Sequence, residues 1–282
     1  MKAVELKWWQ ALNPPIYLIS ILPALAILSV SSNQSIWTGG LLSATLAVVL
    51  LQHAINLFND VSDWRLGADS EKMDSWVRLH AGQTRPVFLH AVSSFLLGGL
   101  LGLAVLLYAD RLWILLVAAP LIGLGYLYNA GERPLSYTWM GEWVTGICYG
   151  GVFGCLWLVA GNALDTTAML GMLAFAALAT ALLLSHQPRQ IETDRTAGKH
   201  SFAVRYGKQT TCRVSLGLFL LFAVLFAQMS WSVFPGLLWQ VLFVVLIFLL
   251  LAYVSTEGPN PKRILLSASG MILFVLLRMR FM

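Results

Sequence analysis

The sequence predicts an all-α, polytopic membrane protein with about nine transmembrane helices. Hydrophobic residues make up 58% of the 282 residues, and charged residues make up only 11%. Soluble domains average about 45–50% apolar and about 25% charged residues, so this composition argues against a soluble protein. The apolar residues also lie in long runs, and one crossing of a bilayer needs roughly 20 of them. No cleavable signal peptide is evident at the N-terminus.

The elements follow from those runs. Residues 1–10 are amphipathic and predict a segment that lies at the membrane interface. Long polar connections are expected at 59–87, 129–138 and 188–212, and tight turns elsewhere. The whole chain is predicted to be one domain, residues 1–282, with a possible two-fold repeat of 14–138 and 139–280. The expected spans cover 14–32, 37–58, 88–108, 111–128, 139–160, 166–187, 213–231, 233–254 and 263–280.

The basic residues predict the orientation. A formal net charge of +5 invites a nucleic-acid partner, but the Lys and Arg residues lie at helix ends and not on a soluble face, so we expect no nucleic acid. If the N-terminus is cytoplasmic and the spans alternate, only Arg111, Arg278 and Arg280 of the 18 Lys and Arg residues lie on the far side. This bias is typical of the positive-inside rule.

Many of the 13 acidic residues fall in two short polar segments. The first runs from Asn56 to Asp69 and the second from Gln190 to Lys199. The topology above puts both on the cytoplasmic side, after the second and the sixth span. Charge close to lipid is costly, so carboxylates kept at such positions usually have a function.

The first segment has the composition of a magnesium site. If the second helix continues to Asp63, Asp60 and Asp63 share one face, because residues three apart on a helix are neighbours. Asn56 and Asn59 fall on the same face, and Asp69 follows in the loop. Carboxylate and amide oxygens are ligands that Mg²⁺ prefers. A solvated helix end with capping residues explains one Asp but not the whole set.

The second segment offers carboxylates at Glu192 and Asp194, with Arg195 and Lys199 beside them. Such cations would neutralise a bound diphosphate as it leaves. Simple positive-inside topology is the alternative explanation for each basic residue. Other candidates for substrate binding on this side of the membrane are Arg65, Arg133 and Gln190.

Polar and aromatic residues at helix ends complete the candidate site. Gln52 and His53 lie within the second span and are expected to line a cavity, although His53 also suits a structural role. Gln187 at the end of the sixth span is within reach of the same site. Tyr126 and Tyr128 end the fourth span, where they are either interfacial aromatic residues or ring faces that stabilise a carbocation. The three cysteines have no metal-ligand spacing with His, so zinc is not expected.

These segments resemble the UbiA superfamily of intramembrane aromatic prenyltransferases. The spacing Asn59-Asp60-x-x-Asp63 with Gly67 and Asp69 resembles the 1,4-dihydroxy-2-naphthoate prenyltransferase branch more than the 4-hydroxybenzoate branch. Residues 126–142 and 186–207 add further similarity, including Ile191 to Ser201, which resembles the second family motif. The similarity covers residues 8–280.

The resemblance implies a nine-helix bundle around a central cavity that opens to lipid, with a cytoplasmic cap that binds two Mg²⁺ ions and a polyprenyl diphosphate. Asn56, Asn59, Asp60 and Asp63 would serve the first ion, with Asp69 in support, and Asp194 the second. Arg195 and Lys199 would face the diphosphate. The implied reaction is prenyl transfer to an aromatic quinone precursor, in a bacterial inner membrane with the site facing the cytoplasm.

One departure from the family pattern stands at Gln190, where the second motif normally has Asp. It leaves three arrangements open: a weaker second ion, recruitment of Glu192, or a different ligand set. The acceptor is also open, among a dihydroxynaphthoate, a hydroxybenzoate, homogentisate, a porphyrin-type ring and glycerol phosphate. A non-catalytic isoprenoid-binding protein is a further alternative. A transporter is disfavoured, because the polar clusters lie at one face and not at the bilayer midplane.

Overall fold

The computed structural model describes residues 7–31, 36–67, 75–129, 134–256 and 258–280. Over these residues the chain is helical and no strand is formed. The helices are α1 Trp8–Leu12, α2 Leu18–Val30, α3 Thr38–Arg65, α4 Trp76–Leu79, α5 Thr84–Tyr108, α6 Leu115–Asn129, α7 Gly141–Val159, α8 Thr166–His186, α9 Ile191–Thr196, α10 Phe202–Ser230, α11 Leu237–Thr256 and α12 Pro261–Arg280.

The long helices match the expected spans. Within the described ranges, eight helical stretches are long and apolar enough to cross a membrane. The run expected at 263–280 forms α12, which has 20 residues but is not among those eight. Lys262, Arg263, Arg278 and Arg280 lie near its two ends and lower its mean hydropathy. It packs against α2 and α8 all the same, so it belongs to the bundle.

Two boundaries differ from the expected ones in ways that matter for the site. Helix α3 continues to Arg65, and this extension places Asp60 and Asp63 on a helix and not in a loop. Helix α10 begins at Phe202, well before residue 213, and bends at Gly207, where φ is 78°. A positive φ is easy for glycine and strained for other residues. The expected connection at 188–212 is therefore mostly helical.

The pairing of α7 with α8 rests on small residues. Gly146, Gly150 and Gly154 repeat every fourth position along α7 and face α8. A Cβ atom added at Gly150 would lie 2.7 Å from the carbonyl oxygen of Met172. Small residues at this spacing let two helix backbones approach closely in a membrane.

Stacked aromatic rings extend this contact into the core. Phe153 on α7 lies 5.2 Å from Phe175 on α8 and 5.9 Å from Trp157, measured between ring centroids. Phe175 in turn meets Phe222 on α10 at 6.0 Å. These four side chains are at most 2% exposed. They tie α7, α8 and α10 into the unit that carries the second acidic segment.

Gly150→Ala should destabilise the protein, because the new methyl group meets backbone that cannot rotate away. Overpacking of this kind typically costs about 1–3 kcal/mol. Gly99→Ala on α5 is the matched control, since a Cβ there meets nothing within 4 Å, and it gains the same helix propensity. Thermal unfolding in detergent should show a lower midpoint for Gly150→Ala alone. Equal midpoints for the two variants would contradict the close α7–α8 contact.

Candidate active site

The last two turns of α3 carry the first acidic segment. Asp60 and Asp63 are each 4% exposed, and their spacing places them on one face of the helix. Gly67, with φ of 78°, follows the end of the helix. Two buried carboxylates in a chain with so few charges need specific partners, because an unpaired buried charge costs several kcal/mol.

Asp60 and Asp63 find those partners in three different parts of the chain. The backbone N–H of Trp76, at the start of α4, donates to Oδ2 of Asp60 at 2.8 Å. The Tyr137 hydroxyl donates to Oδ1 of Asp63 at 2.8 Å. Lys199 Nζ pairs with Oδ2 of Asp63 at 3.2 Å and lies 4.6 Å from the centre of the Tyr137 ring. The two acidic segments therefore meet at one end of the bundle.

The second acidic segment divides between two faces of α9. Asp194 is 7% exposed, and Ser201 Oγ donates to its Oδ2 at 2.8 Å. Glu192 and Arg195 pair with each other at 3.2 Å on the outer face, with side chains 81% and 58% exposed. Successive residues of a helix point about 100° apart, so a helix that begins at Ile191 turns Asp194 inward and Glu192 outward.

This geometry places two of the expected site residues on the outside of the cap. Glu192, expected as a metal ligand, points to the outside, and so does Arg195, expected at the diphosphate. Neither lines the cavity described below. Lys199 is the cation of this segment that reaches the carboxylates of α3.

Glu142 is a buried acid that sequence reasoning did not select as a site residue. Its Oε1 accepts from Gln187 Nε2 at 2.9 Å and from the backbone N–H of Phe202 at 2.8 Å. Its Oε2 pairs with Arg205 at 3.2 Å. Gln187 Oε1 accepts from the N–H of Ala203 at 3.2 Å. Two side chains from α7 and the end of α8 thus satisfy free N–H groups in the first turn of α10.

A cavity of about 720 Å³ lies beneath this polar cap. Its wall is mainly apolar and includes Ile19, Val48 and Leu121. Polar side chains reach the wall from α2, α3, α6, α7 and α12, and from the end of α8 and the turn after it. They include Ser20, Gln52, Asn56, Asn59, Tyr128, Asn129, Thr145, Tyr149, His186, Gln187, Gln190 and Lys262.

Three wall residues, Gln52, Asn59 and Asn129, are held in place by hydrogen bonds. Asn59 Nδ2 donates to Asn129 Oδ1 at 2.9 Å, and Asn129 Nδ2 donates to the carbonyl of Ile55 at 3.0 Å. The side-chain oxygen of Gln52 accepts from Ser20, and its amide donates to the carbonyl of Ile16 at 3.0 Å. The amides at the polar end of the cavity are therefore preorganised.

Other expected substrate-binding residues lie off this wall. His53 packs among Tyr17, His90 and Trp76, with Nδ1 2.6 Å from the Tyr17 hydroxyl and Nε2 3.3 Å from Nε2 of His90. Tyr126 is 46% exposed and meets Phe58 edge-on, whereas Tyr128 faces the cavity. Arg65 is exposed.

Two more candidates, Asp69 and Arg133, fall outside the described residues.

The donors at the cap fit a magnesium ion. In the described part of the chain no three His, Cys, Asp or Glu side chains form a metal-binding group. Mg²⁺, however, is commonly held by one or two carboxylates with water and substrate phosphate as the remaining ligands. Asp60 and Asp63 are buried carboxylates on the helix that also carries the amides of Asn56 and Asn59, and Asp194 is a third buried carboxylate at the cap. These are the hard oxygen donors that such an ion requires.

Burial also sets the protonation of the second segment. Desolvation raises the pKa of Asp194 above its usual value, and the carboxylates of Asp63 and Glu142 raise it further. The hydrogen bond from Ser201 and the charge of Lys199 act in the opposite direction. The neighbouring carboxylates thus oppose a further negative charge at Asp194, and a divalent cation at the cap would offset that repulsion.

The fold and the site together define a class: an intramembrane helical protein with a largely apolar cavity and a cap suited to a divalent cation and an anionic head group. The model of the UbiA prenyltransferase family matches residues 20–275, and the chain belongs to this family. The resemblance drawn from the two acidic segments is thereby confirmed.

Similar proteins come from the naphthoate branch. A 1,4-dihydroxy-2-naphthoate octaprenyltransferase of Bacillus subtilis is 27% identical over 208 residues, which are 71% of this chain and 65% of that protein. The protein of the same name from Mycobacterium tuberculosis is 31% identical over 198 residues, which are 68% of this chain and 66% of that protein. A 2-carboxy-1,4-naphthoquinone phytyltransferase of Synechocystis is 31% identical over 236 residues, 80% and 76% of the two chains. The first two matches span just under two thirds of those relatives.

Solved structures share the fold at low sequence identity. A UbiA homolog from Archaeoglobus fulgidus bound to DMAPP and Mg²⁺ has a TM-score of 0.66 and 14% identity, and the match covers 98% of this chain and 100% of that one. A UbiA homolog from Aeropyrum pernix has a TM-score of 0.68 and 16% identity, over 94% and 97% of the two chains. The all-helical membrane fold is confirmed.

Glu142→Ala should loosen the cap, because it leaves the amide of Gln187 and the N–H of Phe202 without their acceptor. Each unsatisfied buried donor costs about 1–3 kcal/mol. Glu142→Gln keeps an oxygen for both donors and should lose less. Limited proteolysis at the segment 190–201 and thermal unfolding would measure the difference. Equal behaviour of the two variants would argue against this capping role.

Asp194→Asn should stabilise the metal-free protein at neutral pH. The raised pKa means that the folded state binds a proton more tightly than the unfolded state, so native stability falls as pH rises from the ordinary Asp pKa to the raised one. Asn does not ionise, so the variant escapes this loss of stability, and its side-chain oxygen can still accept the hydrogen bond from Ser201. The unfolding midpoints of the native chain and Asp194→Asn, measured in EDTA, should diverge over this pH interval and stay apart above it. A variant no more stable than the native chain at pH 7.5 would contradict the desolvation argument.

Proposed function

We propose that this protein transfers a prenyl group from a polyprenyl diphosphate to an aromatic acceptor of the naphthoate type in a Mg²⁺-dependent reaction. The observation that carries the proposal is the meeting of Asp63 with Lys199 above a largely apolar cavity. Carboxylates for a metal, a cation for a diphosphate and an apolar space for an isoprenoid tail then adjoin one another. The naphthoate-type acceptor is suggested by the names of the similar proteins.

Each group has a chemical task in this reaction. Asn56, Asn59, Asp60 and Asp63 would hold one ion, and Asp194 would serve a second. Bound Mg²⁺ supplies charge neutralisation to the diphosphate as the allylic C–O bond breaks. Lys199 would turn from Asp63 towards the diphosphate oxygens. Its positive charge would stabilise the negative charge that the diphosphate gains as it leaves.

The cavity determines the fate of the allylic cation. Its apolar wall keeps water away from that carbon, and the ring of Tyr128 on the wall can stabilise the positive charge through its face. An electron-rich ring carbon of the acceptor then supplies the electron pair for the new C–C bond. The ring becomes aromatic again when that carbon loses the group it carried, a proton or, where it bears the carboxylate, CO2. The tail would lie along side chains such as Ile19, Val48 and Leu121.

The membrane setting follows from the charge pattern. We place the protein in a bacterial inner membrane with the cap facing the cytoplasm, because the basic residues gather on that side. Both anionic substrates would then approach from the cytoplasm.

Gln190 favours a second candidate function. It lines the cavity at the position where the resemblance leads us to expect Asp, and its neutral amide is a weaker magnesium ligand than a carboxylate. A relative with this change would bind an isoprenoid diphosphate and act as a partner or sensor without turnover.

Turnover in membranes tests both functions. The assay supplies radiolabelled geranylgeranyl diphosphate, Mg²⁺ and a panel of aromatic acceptors that includes 1,4-dihydroxy-2-naphthoate and 4-hydroxybenzoate. A lipophilic product identifies a transferase, and the acceptor that yields it gives the substrate class. A product from Gln190→Asp but not from the native chain would favour the binding function.

Asp63→Asn should abolish turnover, with a loss of at least about 100-fold, because removal of a group that stabilises developing charge typically costs that much. Glu192→Gln is the matched control, since Glu192 carries the same kind of charge on the outer face of the cap. Product formation by the two variants would be compared at equal protein in membranes. Full activity in Asp63→Asn would refute the assignment.

A further inference from the structure

The proposed reaction uses two anionic substrates, and the cap described above accounts for one of them. The diphosphate has Lys199 and the metal-binding carboxylates. A naphthoate-type acceptor carries a carboxylate of its own, and a carboxylate inside a largely apolar cavity needs a cation or strong donors. The acceptor therefore needs a second cationic position, on the cavity wall.

Lys262 is that position. Among the described residues it is the one Lys or Arg on the cavity wall, and no Asp or Glu lies on that wall. None of the carboxylates in the described ion pairs is its partner. An anion in the cavity would therefore meet an available ammonium there.

At the start of α12, Lys262 borders the cavity, whereas its neighbour Arg263 is not part of the cavity wall. Pro261 begins α12, and Asn260 Oδ1 accepts from the backbone N–H of Arg263 at 3.0 Å, which fixes the first turn. The Arg263 guanidinium donates to the carbonyl of Tyr253 at 3.1 Å and lies 4.9 Å from that ring. Leu265, one helical turn after Lys262, is buried on the cavity wall.

Helix α12 borders the cavity on a different side from α3, the helix that carries Asp60 and Asp63. It packs against α2, α8 and α11, whereas α3 packs against α5, α6 and α2. The end of α8, next to α12, adds His186 and Gln190 to the wall. Three groups able to donate hydrogen bonds to a carboxylate thus belong to α12 and the end of α8.

We infer that Lys262, with His186 and Gln190, forms a subsite that binds the carboxylate of the aromatic acceptor. The inference rests on the proposed function, since it assigns the second substrate of that reaction. It also gives Gln190 a role as a hydrogen-bond donor, which an Asp at this position could not supply while ionised.

The test compares Lys262→Gln with Arg263→Gln, which removes the adjacent charge from outside the cavity. Acceptor and donor KM values are measured in membranes. Two competing bicyclic probes, 1-hydroxy-2-naphthoate and 1-naphthol, differ by the carboxylate alone. Lys262→Gln should raise the acceptor KM and weaken inhibition by 1-hydroxy-2-naphthoate, each roughly 10- to 100-fold. This is the usual range for the loss of a hydrogen bond to a charged group. In Lys262→Gln the donor KM and inhibition by 1-naphthol should stay unchanged. Lys262→Arg should recover binding of the carboxylate probe. Arg263→Gln should behave as the native chain.

Three results would overturn the inference: a raised donor KM with an unchanged acceptor KM, an equal loss for both probes, or no change. The first would assign Lys262 to the diphosphate, and the second would indicate a packing defect. If the native chain turns over none of the acceptors, the proposed function fails. The same two probes can still be titrated against purified native and Lys262→Gln protein by tryptophan fluorescence. Carboxylate-selective binding that depends on Lys262 supports the subsite, and its absence refutes it.

Discussion

The ion pair between Asp63 and Lys199 is the interaction on which the cap depends. It joins residues 136 positions apart, with side chains only 5% and 15% exposed. A buried pair of this kind contributes little net stability, because desolvation offsets most of the attraction, whereas loss of one partner leaves an uncompensated charge. Its main effect is therefore conformational: it fixes the second acidic segment over the end of α3. The same lysine is the cation that an incoming diphosphate would recruit.

The cap is electrostatically strained around that pair. Four acids, Asp60, Asp63, Glu142 and Asp194, are each less than a tenth exposed, and every one accepts a hydrogen bond from protein. Glu142 uses its bonds to hold the start of α10, so it has a structural task. The three aspartates place further negative charge at the same end of the bundle. Such sites trade stability for function, and a divalent cation is the partner that would relieve the repulsion.

The sequence predicted the parts of this arrangement that depend on local pattern. The three-residue spacing of Asp60 and Asp63 indicated a shared helix face, and α3 does extend through both. Glu142 could not be selected in this way, because its partners lie 45 and 60 residues away. The outward position of Glu192 depends on where α9 begins, because successive residues of a helix point about 100° apart. The place of Lys262 beside the cavity depends likewise on where α12 begins.

Gln190 lies between two parts of the site, the buried carboxylate of Asp194 and the proposed acceptor position at Lys262, and its side chain affects both. The backbone N–H of Asp194 donates to the Gln190 carbonyl at 2.7 Å, so any side chain at 190 stands one turn before Asp194 and faces the cavity. A carboxylate there would add a further negative charge to the group that already raises the pKa of Asp194. It would also repel an acceptor carboxylate bound at Lys262. A neutral amide avoids both repulsions, and it leaves Asp194 as the inward carboxylate of the second segment. In the two proposals above, a weaker second metal site and an acceptor subsite would both result from Gln in place of Asp at this position, because the same change would remove a metal ligand and admit an anion.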